Sequence, residues 1–130
     1  MEFFKKLRSP KNIVKEAAVE VPWHQMVQLD QLDTIVEESK TKPVVIFKHS
    51  TRCGISRGVL RIFERNYKLN DDQIKLYFLD LLAHRDISNE IAARFKVHHE
   101  SPQLIVVKDG EVVHHNSHHS IDAEHLSKFV

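Results

Sequence analysis

The sequence predicts an α/β fold: a central mixed sheet, with a parallel core and a C-terminal antiparallel hairpin, and helices on both faces. Runs of β-favouring apolar residues alternate with segments of helical periodicity along the 130 residues. One run, residues 44–47, has four consecutive apolar residues, which is typical of a strand buried on both faces. Near the C-terminus, Asp109 and Gly110 separate two β-type runs, a strong signal for a hairpin.

The first half of the chain contains two predicted strands and two predicted helices. Residues 23–27 form a candidate edge strand, and Asp30 is placed to cap the helix that follows. After the strand at 44–47, a second helix begins near Cys53 and carries apolar residues at helical spacing: Ile55, Val59, Ile62, Phe63 and Tyr67. Gly58 lies inside this helix at a cost on the order of 1 kcal/mol relative to alanine, so we expect a neighbouring strand to approach closely there.

The second half of the chain contains the remaining elements. Residues 74–79 predict a buried strand, and Asp86 or Ser88 is placed to cap a third helix. Two strands at 104–107 and 111–115 form the predicted hairpin. Ser120 or Asp122 then caps a final helix, whose apolar residues are Leu126 and Phe129.

Length and composition indicate one globular domain. We divide the chain into an N-terminal leader, residues 1–20, expected to be mobile or loosely packed, and a domain, residues 21–130. A membrane-surface anchor in the leader is less favoured, since that stretch is short and of mixed charge. The formal net charge is +1 and the basic residues are scattered, which argues against a nucleic-acid partner. No segment is apolar enough for a signal peptide or a membrane span.

The single cysteine, Cys53, is the strongest candidate for chemistry. It follows the most buried predicted strand and begins the next helix, where unpaired N–H groups and the helix dipole favour a negative charge. Arg52 precedes it, and Lys48 and His49 are close in sequence, so a reactive thiolate is expected. The competing interpretation is a buried apolar cysteine, which the polar flanking residues disfavour.

Counting cysteines limits the reaction that Cys53 can perform. Cys53 and Ser56 form a C-x-x-S pattern, and no second cysteine is present to resolve a mixed disulfide. Any disulfide at Cys53 is therefore intermolecular, which favours exchange with a small thiol. A lone free thiol also suits a reducing compartment, so we expect a cytoplasmic protein.

Two segments of the sequence resemble the monothiol bacilliredoxin family of the thioredoxin superfamily. They are residues 47–56, Phe-Lys-His-Ser-Thr-Arg-Cys-Gly-Ile-Ser, and residues 99–103, His-Glu-Ser-Pro-Gln. The similarity extends from about Trp23 to the C-terminus. It implies a thioredoxin-like fold, Cys53 as the nucleophile, and a cis peptide bond at Ser101–Pro102 that faces Cys53.

The resemblance also implies the site and its partners. Ser56 would support catalysis, and the substrate-binding residues would be Lys48, His49, Ser50, Thr51, Arg52, Gly54, Ser101 and Pro102. The exchanging thiol would be bacillithiol, with no tightly bound cofactor and no metal. The partners would be bacillithiolated client proteins and a low-molecular-weight thiol.

From this resemblance we expect a specific mechanism. The Cys53 thiolate attacks the bacillithiol sulfur of a client, and the Ser56 hydroxyl donates a hydrogen bond to the thiolate. Arg52 and Lys48 meet the carboxylates of bacillithiol; the alternative for both is solvated surface charge. Two positions depart from related patterns: Gly54 stands where the family commonly has proline, and Phe47 stands where thioredoxin has a buried acid.

Other functions remain open at this point. The same fold could carry a thiol sensor or binding module that is modified at Cys53 without turnover. An iron–sulfur carrier is less favoured, because most cluster ligands would have to come from outside the chain. A peroxidase of the peroxiredoxin type is disfavoured by Ile46 and Ser50, which stand where that class needs proline and threonine. The paired histidines, such as His114 and His115, are expected to point to opposite faces of a strand and so not to chelate together.

Overall fold

A computed structural model describes residues 21–130; the predicted leader lies outside these residues. The elements are β1 (Trp23–Gln25), α1 (Gln31–Glu38), β2 (Val44–His49), α2 (Gly54–Asn66), β3 (Lys75–Asp80), α3 (Arg85–Phe95), β4 (Gln103–Lys108), β5 (Glu111–Ser117) and two 3-10 segments, His118–Ser120 and Ala123–Phe129. The predicted α/β class is confirmed. No helix in this part of the chain is long and apolar enough to cross a membrane.

The five strands form one mixed sheet in the order β1-β3-β2-β4-β5. β1, β3 and β2 are parallel, and β4 runs antiparallel to β2 as well as to β5. Antiparallel pairing is therefore not confined to the β4–β5 hairpin, because the β2–β4 pair is antiparallel as well. After the left-handed cap of α3 at Lys96, the chain enters β4 at Gln103, which pairs with Lys48 near the carboxyl end of β2. The end of β2 and the start of β4 therefore lie at the same edge of the sheet, next to the loop that contains Cys53.

Each face of the sheet is covered by its own apolar cluster. Every residue of β2 is buried, as its continuous apolar run predicts. Val44 and Ile46 face α1 and α3, whereas Val45 and Phe47 face α2 and the C-terminal segment. Burial of each such side chain contributes roughly 1.5–3 kcal/mol, so β2 is a rigid base for the loop that follows it.

Two predicted helix starts differ from the structure. Asp30 occupies the cap position of α1, but its side chain makes no capping hydrogen bond. The Gln31 carboxamide oxygen instead accepts the N–H groups that precede the helix. α3 begins at Arg85 after His84, so Asp86 and Ser88 lie inside its first turns rather than at its cap.

The final helix is a 3-10 segment rather than an α-helix. It spans Ala123–Phe129, and the Asp122 carboxylate accepts the N–H of Glu124 at 2.9 Å. Of the two predicted caps, Asp122 is therefore the one used. Ala123 and Leu126 are its buried residues, and their spacing of three fits the three-residue turn of a 3-10 helix.

Gly58 and Gly110 should respond in opposite ways to substitution by alanine. A Cβ at Gly58 would meet no atom within 4 Å, so the expected close approach of a strand is wrong. Gly58→Ala should therefore raise the free energy of unfolding by up to ~1 kcal/mol. Gly110 has φ +78° in the hairpin turn, and Gly110→Ala should lower it by about 1–2 kcal/mol. Urea denaturation of both variants checks the pair; a loss of stability in Gly58→Ala would contradict it.

Candidate functional site

Cys53 is the cap residue of α2 and lies just beyond the carboxyl end of β2. Its backbone is extended (φ −104°, ψ 123°) and its side chain is partly exposed. The Cys53 N–H donates to the carbonyl of Ser50 at 3.2 Å, and the Cys53 carbonyl accepts the N–H of Arg57 at 3.1 Å. The first N–H groups of α2 have no partner within the helix, so the thiol lies at the positive end of the helix dipole.

The Ser56 hydroxyl is fully buried and bonds to the end of β2, not to the thiol. Its Oγ lies 2.8 Å from His49 Nδ1 and accepts the N–H of Ser50 at 3.1 Å. Among residues 21–130, no hydrogen bond reaches the Cys53 sulfur. This corrects the expectation that Ser56 donates to the sulfur, because the N–H of Ser50 and the ring nitrogen of His49 already occupy its hydroxyl.

His49 is a buried, neutral member of the site. Its ring is 4% exposed and packs against Phe78 with centroids 5.3 Å apart. Burial lowers the pKa of His49; the charge of Asp80 opposes this shift and the charge of Arg57 adds to it. The imidazole is therefore uncharged at neutral pH, and one of its ring nitrogens can accept a hydrogen bond.

Lys48 lies on the opposite face of β2 and is fully buried. Its ammonium has no hydrogen-bond partner among the described residues, and burial lowers its pKa to about 8. Its charge also contributes to the lowered pKa of His99, after burial of that ring. The prediction that Lys48 meets the carboxylates of bacillithiol and its alternative, a solvated surface charge, both require an exposed ammonium, and the buried ammonium fits neither.

The exposed charges beside Cys53 are Arg52 and Arg57. Arg52 and the neighbouring Thr51, both predicted to bind substrate, are exposed. Arg57, which the sequence analysis missed, donates from Nη1 to the Thr51 carbonyl at 3.1 Å. Its spacing of four residues from Cys53 on a predicted helix was the available signal, since such residues share a helix face.

The predicted cis bond at Ser101–Pro102 is present. Pro102 is buried, and its carbonyl accepts the N–H of His118 at 3.0 Å. The Ser101 Oγ is buried without a hydrogen-bond partner among the described residues. Because β4 begins beside the end of β2, this segment lies at the same edge of the sheet as the Cys53 loop.

No group of three or more metal-ligating side chains occurs within residues 21–130. His114 lies 5.3 Å from the ring of Phe129, whereas His115 lines a cavity with Arg94 and Phe95 on the other side of the sheet. The two rings are therefore on opposite faces of β5, as the alternation of a strand requires.

Comparison with known proteins places this site in a family. The profile described as monothiol bacilliredoxin BrxC matches residues 24–126. The chain belongs to the monothiol bacilliredoxin family. Its bacilliredoxin domain is also similar to a solved thioredoxin-fold protein to which oxidoreductase activity is ascribed: 31% identity, 82% of this chain and 92% of that chain covered, TM-score 0.70.

Two thioredoxins share the fold of this bacilliredoxin domain at lower identity. The Malassezia sympodialis thioredoxin is 20% identical, with 84% of this chain and 90% of that chain covered and a TM-score of 0.62. The Schistosoma mansoni thioredoxin is 21% identical, with 85% and 100% covered and a TM-score of 0.58. These two matches show the thioredoxin-like fold, whereas the redox role follows from the family and from the 31%-identical structure.

Nothing in the structure requires glycine at position 54 of this bacilliredoxin. Gly54 is the first residue of α2, and a Cβ there would meet only Arg57 Nη2, at an ordinary 3.8 Å. At Phe47, an aromatic cluster with Trp23 and Phe63 replaces the buried acid of thioredoxin. Position 47 therefore supplies no titratable group to this bacilliredoxin site.

Proposed function

We propose that this chain removes bacillithiol from protein mixed disulfides by thiol–disulfide exchange at Cys53, in the cytoplasm. The observation that carries the proposal is a single, partly exposed thiol at a helix N-terminus, with no second cysteine in the chain. A thiolate is stabilised at such a position, and its disulfide can be resolved only by another molecule.

The reaction consists of two balanced exchanges. The Cys53 thiolate attacks the bacillithiol sulfur; a new S–S bond forms, the client S–S bond breaks, and the client cysteine leaves as a thiolate. A second low-molecular-weight thiol, as thiolate, then attacks the bacillithiol sulfur on Cys53. Cys53 is released reduced, and the two small thiols leave as a disulfide.

The surface around Cys53 supplies the proposed binding groups. Arg52, directly before Cys53, and Arg57, one helical turn after it, are both exposed, and their guanidinium groups suit the carboxylates of bacillithiol. The backbone of Ser101, before the cis-proline, makes no hydrogen bond to the described residues. It is therefore available to pair with an extended client segment, as strand-adding partners do.

A client-release assay tests the proposal. The reduced protein is mixed with a bacillithiolated client, and intact mass follows both chains. We expect client release together with a bacillithiol adduct on Cys53, and repeated turnover once free bacillithiol is added. An adduct without turnover would support the thiol-sensor alternative instead, and equal rates with a glutathionylated client would contradict the bacillithiol preference.

The role of Arg52 gives a further prediction. Arg52→Gln should slow bacillithiol removal about three- to fivefold, the size of an exposed ion pair, and high salt should reduce this difference. Exchange with the uncharged hydroxyethyl disulfide should change much less. Arg61→Gln, an exposed arginine two turns into α2, is the matched control. Equal slowing with both disulfides would show that Arg52 acts on Cys53 and not on the carboxylates.

A further inference from the structure

We propose that His49 and Ser56 are positioning residues that hold Cys53 at the N-terminus of α2 through a chain of buried hydrogen bonds. The inference rests on the proposed function for its catalytic meaning, since it concerns the same nucleophile. Ser56 stands where a dithiol motif has its second cysteine. In this chain it would act on Cys53 indirectly, through its hydrogen bonds to His49 and Ser50 at the end of β2.

The hydrogen bonds are continuous from the ring of His49 to the backbone of Cys53. His49 Nδ1 lies 2.8 Å from Ser56 Oγ, and Ser56 Oγ accepts the Ser50 N–H at 3.1 Å. The Ser50 carbonyl in turn accepts the Cys53 N–H at 3.2 Å. Ser50 is therefore fixed on both sides of its backbone, and the turn that carries Cys53 cannot move without breaking one of these bonds.

A count of donors and acceptors assigns the proton between His49 and Ser56. Oγ accepts the Ser50 N–H, and the Ser56 hydroxyl is fully buried, so its own proton needs an acceptor. The only acceptor that the described residues provide within hydrogen-bond distance is Nδ1 of His49. His49 is therefore the tautomer with its proton on Nε2, and Ser56 is the donor in the shared bond.

The surroundings of His49 favour this neutral acceptor. The ring is buried against Phe78 of β3; Asp80 of β3 and Arg57 of α2 are the charged groups that act on it, with opposite effects. Loss of the acceptor would leave the Ser56 proton unpaired in a buried site, which is unfavourable. The hydroxyl would then turn away, the Ser50 N–H would lose its acceptor, and the Cys53 turn would loosen.

A matched pair of variants tests the proposal. Asparagine at position 49 carries a polar atom near the place of Nδ1, whereas leucine has almost the same shape and no acceptor. The readout is the second-order rate constant of Cys53 with iodoacetamide from pH 5 to 10; the sole cysteine makes the signal unambiguous. We expect His49→Leu to react about five- to tenfold more slowly at pH 7, as loss of one buried hydrogen bond predicts, and His49→Asn to lie within about twofold of wild type.

The comparison of the two variants separates positioning from general damage to the fold. Both variants lose the His49 ring and its packing against Phe78, so general damage would slow both, whereas loss of the acceptor for Ser56 should slow only His49→Leu. Equal behaviour of the two variants, or wild-type reactivity in His49→Leu, would overturn the proposal. If His49→Leu does not fold, ¹⁵N NMR of the His49 ring in the wild-type protein tests the assigned tautomer. A protonated Nδ1 at neutral pH would overturn the proposal, and a protonated Nε2 with an unprotonated Nδ1 would support it.

The same assay distinguishes this inference from the proposed function. Iodoacetamide contains no bacillithiol, so slow alkylation of His49→Leu would stand even if the wild-type protein released no bacillithiol from a client. Conversely, client release by wild type together with unchanged alkylation in both variants would support the function and overturn the positioning role.

Discussion

Cys53→Ser should abolish bacillithiol removal from a modified client, with a loss of roughly 10³-fold or more, the order expected when an enzyme loses its nucleophile. Serine keeps the shape of the side chain, but its hydroxyl is far less acidic than a thiol and does not form a stable disulfide. The described structure offers no second route, because Ser56 is buried and bonded elsewhere. Intact mass of variant and client after incubation is the measurement.

The fold of Cys53→Ser should remain intact, which makes its inactivity informative. Cys53 is partly exposed, and serine is a preferred helix cap, so the thermal midpoint should stay within a few degrees of wild type or rise. Ser127→Ala changes an exposed serine near the C-terminus and is the control variant, which should release the client at the wild-type rate. Client release by Cys53→Ser at a wild-type rate would rule out the exchange mechanism.

The sequence predicted the features that local patterns determine. The apolar run at 44–47, the Asp109–Gly110 turn and the placement of Cys53 between strand and helix depend on neighbours a few residues away. Hydrophobic periodicity and turn chemistry carry such information directly. The cis bond before Pro102 was expected from the family resemblance alone, and it is present.

What the sequence did not predict depends on contacts between distant segments. Ser56 was expected to serve the thiol three residues before it, but its partners come from β2. The predicted hairpin did not specify its neighbour in the sheet, and β4 pairs antiparallel with β2, a strand more than 50 residues earlier in the chain. Gly58 has open space beside it rather than a close neighbour. Sequence spacing defines which residues share a face but not what covers that face, so these details required the tertiary structure.

The burial of Lys48 also depends on contacts between distant segments, and it should affect the stability of the fold. A lysine at the end of a strand is ordinarily solvated, but the side chain is fully buried and its ammonium has no partner among residues 21–130. Cross-strand pairing sets Lys48 beside Gln103, whose carboxamide bonds the His98 carbonyl and the Glu100 N–H and so fixes the segment before β4. A charge without a partner in such a place destabilises the folded state.

The size of this destabilisation follows from the pKa of Lys48, which burial lowers from 10.5 to about 8. At pH 7 both states hold the proton, and the folded state is penalised by about 3 kcal/mol for keeping the ammonium buried. Between pH 8 and 10 the folded state releases the proton while the unfolded state retains it. The unfolded state then binds more protons, so the free energy of unfolding rises with pH across this window.

Lys48→Met removes the charge and keeps an unbranched side chain of similar length. We expect its free energy of unfolding at pH 7 to exceed that of wild type by roughly 2–3 kcal/mol, because the buried ammonium is gone. The advantage should shrink as pH rises from 8 to 10, where wild type becomes neutral at this position. Urea denaturation at pH 7, 8, 9 and 10 measures both effects, and the exposed Lys108→Met should show neither. A Lys48→Met variant that is less stable than wild type at pH 7, with an unchanged pH dependence, would contradict this prediction. It would mean that the buried Lys48 ammonium stabilises the folded state.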